Sequence, residues 1–181
     1  IYDVMNETDG NRQEAPAWRT VRETVLEQSG PDDPEIICGT RQDMRVAINA
    51  CDVAVVCVPT PQASDGSCDT SFVEDILSWV ETPLVLLKST VSVGTTDRLR
   101  RQTGKRIVFS PEYVGESSYY TPPPFDFNVE VKMTPFFIFG GDPVDCSQMV
   151  DIFVPVAGPV KQYRCTDAIT AEMAKYMENT F

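Results

Sequence analysis

Apolar residues in this chain fall into short dense runs, separated by stretches in which they recur every three or four positions. The dense runs are Ile1–Val4, Glu35–Cys38, Val53–Val58, Leu84–Lys88, Arg106–Phe109 and Phe136–Phe139. They are rich in Val, Ile and Phe and almost unbroken, the pattern of strands covered on both faces. The periodic stretches predict helices over Ala15–Gln28, Gln42–Ala50, Ser71–Val80, Thr95–Gln102, Pro143–Phe153 and Asp167–Phe181. Start signals precede three of them: Thr70 or Asp69, Gly94, and Asp142-Pro143. Strands alternating with helices of this length imply βαβ units and a doubly wound, mainly parallel α/β sheet. In the last helix, Ile169, Met173 and Tyr176 recur at three and four and predict a stripe packed on the domain, with Lys175 and Asn179 bordering it. The segment Ser117–Thr134, with Pro122-Pro123-Pro124 at its centre, is expected to run as an extended loop. The strand-like opening at Ile1 and the helix-like close at Phe181 lead us to expect a larger fold cut at both ends.

Composition narrows the function. A chain of 181 residues that is 42% apolar and 23% charged has enough material for a real core, and suits one domain or slightly more. Its net charge of −12 opposes binding to a nucleic-acid backbone. No apolar run approaches the roughly 20 residues of a membrane helix, and no signal peptide opens the chain, so no membrane association and a cytoplasmic location are expected. Histidine is absent, which excludes a Ser-His-Asp triad or a His-ligated metal within these residues. The six cysteines, at 38, 51, 57, 68, 146 and 165, form no C-x-x-C pair, so no metal site is expected. They are expected to be free thiols, with Cys38 and Cys57 as small buried hydrophobes.

In an open parallel sheet, ligands bind beyond the carboxyl ends of the strands. After the first run lies Asp3, a turn residue or, in a dinucleotide-binding sheet, an acceptor for ribose hydroxyls. After the third come Val58-Pro59-Thr60-Pro61, where two prolines stiffen the backbone around a hydroxyl. After the fourth come Ser89, Thr90 and Ser92, then Gly94-Thr95-Thr96 at a helix start; these are helix caps, or donors to a phosphate or an amide. After the fifth come Glu112 and Glu116, four apart, which a helical turn would place on one face as an acid–base pair or as a solvated acidic turn. The final helix carries Lys175 and Asn179, also four apart and able to stabilise an oxyanion or simply to face solvent.

The order of these motifs is more specific than any one of them. Cys57-Val-Pro-Thr-Pro61, Lys88-Ser-Thr-Val91 with Gly94-Thr95-Thr96, Ser110-Pro-Glu112 with Glu116, and Ala171-Glu-Met-Ala-Lys175 with Asn179-Thr-Phe181 resemble the UDP-glucose/GDP-mannose dehydrogenase family over nearly the whole chain. The resemblance implies a Rossmann-like sheet over residues 1–165, followed at 166–181 by the start of the central helix carrying the Lys/Asn pair. It implies NAD-dependent oxidation of the C6 alcohol of a UDP- or GDP-sugar to the uronate, in two hydride transfers. Such an activity belongs to polysaccharide biosynthesis. By the same resemblance Asp3, Val58, Pro59, Thr60, Ser89, Thr90 and Glu116 surround NAD, and Thr90 holds a water. Glu112 and Glu116 match the family's two glutamates, and Lys175 and Asn179 stabilise the oxyanion. A nucleotide sugar is the implied partner, with homodimerisation through a central helix.

Two family features are missing from these residues. No G-x-G-x-x-G follows a first strand, and no cysteine follows Asn179, where the family keeps its nucleophile. Weak NAD affinity, a preference for NAD over NADP, and no turnover by this polypeptide alone are therefore expected. Two other readings stay open: a non-catalytic remnant serving as a binding module, and a two-electron hydroxyacid dehydrogenase that needs no cysteine.

Overall fold

The computed structural model describes residues 41–113 and 134–180, without the side chains of 41–44, 179 and 180. The chain forms two compact units, Ile1–Ala47 and Ile48–Phe181. The described part of the first is the opening of helix α1 (Arg41–Asn49). The second unit contains strands β1 (Val53–Val56), β2 (Leu84–Leu87), β3 (Ile107–Phe109), β4 (Phe136–Gly140) and β5 (Gln162–Thr166). Between and after them lie helices α2 (Ser71–Trp79), α3 (Thr95–Thr103), α4 (Pro143–Ala157) and α5 (Ala168–Thr180). The expected strands Ile1–Val4 and Glu35–Cys38, the helix Ala15–Gln28 and the segment 117–133 lie outside the described residues.

The strands lie side by side in chain order, β1-β2-β3-β4-β5. Parallel pairing joins β1 to β2, β2 to β3 and β4 to β5, in the registers Val53↔Leu84, Val85↔Ile107 and Phe136↔Gln162. Only β3 and β4 run antiparallel, meeting at Phe109↔Gly140. The expectation of a mainly parallel α/β sheet therefore holds. Alternate residues of β2 feed two cores, as the two-residue period of a strand requires. Val85 and Leu87 join Val56, Leu77, Leu99, Phe109 and Ala171 on one face. Leu84 and Leu86 join Val108, Phe137, Phe139, Cys146 and Met149 on the other. There Phe153 meets the rings of Phe137 and Phe139 edge-on, at 5.3 and 5.0 Å.

Three sequence expectations about the elements are corrected. Strand β5 was absent from the apolar runs because Gln162-Tyr163-Arg164-Cys165-Thr166 is an edge strand, largely exposed, whose polar residues face water. Helix α4 runs past Phe153 to Ala157 although Pro155, inside its last turn, donates no hydrogen bond, and Gly158 N–H closes it on Val154 O at 3.0 Å. The stripe on α5 is turned the other way. Ile169 and Met173 are 48% and 45% exposed, while Ala168, Ala171 and Glu172 are buried. The inward face is chosen by size: Gly140 on β4 leaves no room for more than a methyl. A Cβ at 140 would collide with the Ala171 Cβ and come within 3.0 Å of the Asp167 carbonyl oxygen. One start signal acts as read, with Asp142 Oδ1 accepting from Val144 N–H at 2.9 Å and Pro143 at the first helical position.

The five described cysteines, 51, 57, 68, 146 and 165, are free thiols. Cys57 is exposed rather than buried, because β1 ends at Val56 and Cys57 lies just beyond it. Cys146 lies wholly inside the second core, and burial pushes its thiol up to about 12. Two outcomes follow. Gly140→Ala should destabilise the protein by about 1–3 kcal/mol, since the neighbouring methyl and backbone cannot yield freely; urea unfolding measures it. At pH 8, iodoacetamide should label Cys146 at least about tenfold more slowly than exposed Cys51, read by peptide mass spectrometry, because only the thiolate reacts.

Candidate functional site

The carboxyl ends of β1, β2 and β3 lie together, because these strands are parallel and in register. The segments that leave them are tied to one another by side chains. Ser89 Oγ accepts from the Val58 N–H at 2.8 Å. The Thr60 hydroxyl donates to the Thr90 carbonyl at 2.5 Å. Ser92 Oγ accepts from the Cys68 N–H at 3.2 Å. Pro59 is exposed, while Val58, Thr60 and Thr90 are half-buried along this edge. The hydroxyls that the sequence offers as phosphate donors are thus partly spent on loop-to-loop bonds. Among the described residues the Thr90 hydroxyl itself takes no hydrogen-bond partner.

The N-terminus of α3 is closed to an anion. Gly94 is the N-cap, with φ 89° and no side chain to offer. The cap comes from elsewhere in the sequence: Glu172 on α5 accepts from Gly94 N–H at 2.5 Å and from Thr96 N–H at 2.8 Å. Glu172 is completely buried. An internal carboxylate therefore takes the position that a phosphate would need.

After β3, Glu112 forms an ion pair with Lys88 Nζ at 3.2 Å and accepts from the Tyr113 N–H at 2.9 Å. Lys88 Nζ also reaches the Ser110 carbonyl at 3.5 Å. Residues 110–113 are not helical, and Glu116 lies outside the described residues, so the four-residue spacing has no helical turn under it here. Beside this pair, partial desolvation raises the otherwise exposed Cys57 thiol, while the Lys88 ammonium opposes the rise and the Glu112 charge adds to it.

Lys175 is brought to the same edge. Its side chain is 14% exposed, with Nζ 5.3 Å from the centre of the Tyr113 ring and 2.8 Å from Glu178. The Tyr113 ring is fixed in turn against Phe136, at 5.1 Å. Burial, and then the Glu178 charge, raise the Tyr113 hydroxyl. Asn179 lies one turn further along α5, and its side chain, like Asp3, is outside the described residues. The next residue on α5 after Lys175, Tyr176, contacts Cys68 Sγ at 3.2 Å.

Of the residues singled out from sequence, Val58, Thr60, Ser89 and Thr90 thus meet along one edge, and Glu112 and Lys175 meet through Tyr113. Sequence reasoning gave no separate role to Lys88, Tyr113 or Glu172. The available signal for Glu172 was a charged residue on the alanine face of α5, between Ala168, Ala171 and Lys175. Among the described residues no cluster of Cys, Asp or Glu is set to hold a metal ion, and no helix is long and apolar enough to cross a membrane.

Known proteins resemble this chain in sequence and fold. UDP-N-acetyl-D-mannosamine dehydrogenase of Methanocaldococcus jannaschii is 32% identical over 143 residues, 72% of this chain and 31% of its own length. The UDP-glucose dehydrogenase of Pyrobaculum islandicum has a structure that overlays with a TM-score of 0.60 at 26% identity, covering 76% of this chain and 33% of that one. The UDP-N-acetyl-mannosamine dehydrogenase of S. aureus gives 0.57 at 26% identity, covering 92% and 40%. The chain thus spans about a third of the length of such relatives. Residues 37–144 match the NAD binding domain of the UDP-glucose/GDP-mannose dehydrogenase family, and this chain belongs to that family.

Proposed function

We propose that this chain forms the cofactor side of a nucleotide-sugar dehydrogenase that oxidises the C6 alcohol of a UDP- or GDP-sugar to the uronate, with NAD as acceptor. The observation that carries the reading is Lys175, an ammonium from α5 held at the carboxyl edge of the sheet rather than in solvent. A helix surface needs no such lysine, and a packed scaffold disfavours one. Family membership supplies the reaction class.

The residues present fit NAD in part. The half-buried, unpartnered Thr90 hydroxyl and the stiff Val58-Pro59-Thr60 edge suit a ribose or nicotinamide amide, and Ser89 supports that edge from beneath. They do not suit a pyrophosphate, since the α3 N-terminus is filled by Glu172. Bound there, NAD would accept hydride at its nicotinamide ring. The remaining work falls to side chains of this chain. Lys175, with Asn179 beside it on α5, stabilises negative charge developing on the substrate oxygen. Glu112, held by Lys88, takes or returns a proton, or orients a water with Thr90. Asp3 and Glu116 complete the cofactor surroundings.

The substitution that tests this is Lys175→Ala in the full-length protein. Loss of one oxyanion donor should lower kcat about a hundredfold or more in NAD-dependent oxidation of the nucleotide sugar. Stability should fall by no more than about 1–2 kcal/mol, the scale of a cation–π contact and a surface ion pair. A rate within about threefold of the parent removes Lys175 from the site and takes the main support from the reading. Calorimetric titration gives a second check: NAD should bind these 181 residues more weakly than about micromolar and in preference to NADP.

A further inference from the structure

Glu172 is the one completely buried carboxylate among the described residues, and the reading above gives it no part in the reaction. No ion pair joins it to a cation there. Its partners are two backbone N–H groups, on Gly94 and Thr96, that lie 78 and 76 residues away along the chain. Short sequences can cap a helix locally with Ser, Thr, Asp or Asn. Here glycine occupies the cap position, with φ 89°, and the capping is delegated to α5. A bond between two elements so far apart fixes one against the other, and a charged acceptor on N–H donors is both short and directional.

The far end of that clamp is the lysine. Lys175 follows Glu172 by three positions, so both point to the same side of α5, about one turn apart. The neighbouring contacts set different parameters. Ala168 and Ala171 against Gly140 set the distance of α5 from the sheet, because they are small and in direct contact. They do not fix rotation about the helix axis, for methyl groups slide where a hydrogen-bonded carboxylate does not. We infer that Glu172 is a positioning residue: by binding the N-terminus of α3 it sets the rotation of α5 and so holds the Lys175 ammonium over Tyr113. This deepens, and rests on, the reading of Lys175 as the oxyanion-stabilising group.

The test reads the position of Lys175 directly. The lysines of the full-length protein are converted to their 13C-dimethyl form, which keeps the charge, and observed by NMR. The Lys175 signal is identified by its loss in Lys175→Arg, and its ring-current shift by the change in Tyr113→Leu. In Glu172→Gln, which keeps the shape but offers one acceptor oxygen instead of two, the Lys175 signal should move toward that of an exposed lysine. The Lys88 signal should stay in place. With nucleotide sugar and NAD, kcat should fall about tenfold or more with the KM for NAD little changed, because a small displacement of a catalytic group is costly. Glu172→Asp, charged but one methylene short, is the second variant and should shift the signal in the same direction should the glutamine form fail to fold. An unmoved Lys175 signal in a folded variant with a lowered melting temperature makes Glu172 a purely structural cap and overturns the inference. A moved signal together with an unaffected rate in Lys175→Ala leaves the positioning intact and overturns the functional reading instead.

Discussion

The structure turns on a carboxylate in the wrong place for a carboxylate. Removing a charge from water costs several kcal/mol unless its lone pairs are satisfied. Glu172 meets that condition through backbone N–H groups and the positive end of the α3 dipole, without a cation. The neighbouring contacts at the carboxyl edge meet around that solution. The hydroxyl loop before α3 is held at its last residues, α5 is held by its inner face, and β4 accommodates α5 only because residue 140 is glycine. The same bond also decides a chemical question. A helix N-terminus that begins among serines and threonines looks like an anion cradle, and here its donors are already used.

The polar residues around it divide into those that brace the edge and those that the proposed function uses. Ser89, Ser92 and the Thr60 hydroxyl are committed to neighbouring backbone. Thr90, Glu112 and Lys175 lie on that braced frame, Glu112 against Lys88 and the Tyr113 N–H and Lys175 against Glu178 and the Tyr113 ring. The proposed chemistry favours such a division, because groups that stabilise charge in the transition state work best when they need not reorganise.

Much of this was legible in the amino-acid sequence, and the failures have physical causes. Strands β1 to β4 announce themselves because their residues are almost all apolar, and in β2 and β3 both faces are covered. Strand β5 does not, since an edge strand with Arg164 and Gln162 facing water has no apolar run to offer. The polarity of α5 was read backwards for a related reason. Hydrophobicity ranks Ile169 and Met173 above Ala168 and Ala171, whereas the space beside Gly140 ranks by size. The candidate residues at the strand ends were legible from their order along the chain. Their partners were not: no local pattern joins Glu112 to Lys88, or Gly94 to a glutamate 78 residues away.

The chemistry proposed for this edge has a stoichiometric signature that separates it from any two-electron relative on the same sheet. An alcohol carried to a carboxylate gives up two hydrides, whereas an alcohol carried to a carbonyl gives up one. The full-length protein should therefore be incubated with a limiting amount of UDP- or GDP-sugar and excess NAD, and the NADH formed counted against the sugar consumed. The account requires two NADH for each nucleotide sugar, with the uronate as the product. One NADH, or none with any such sugar, contradicts it.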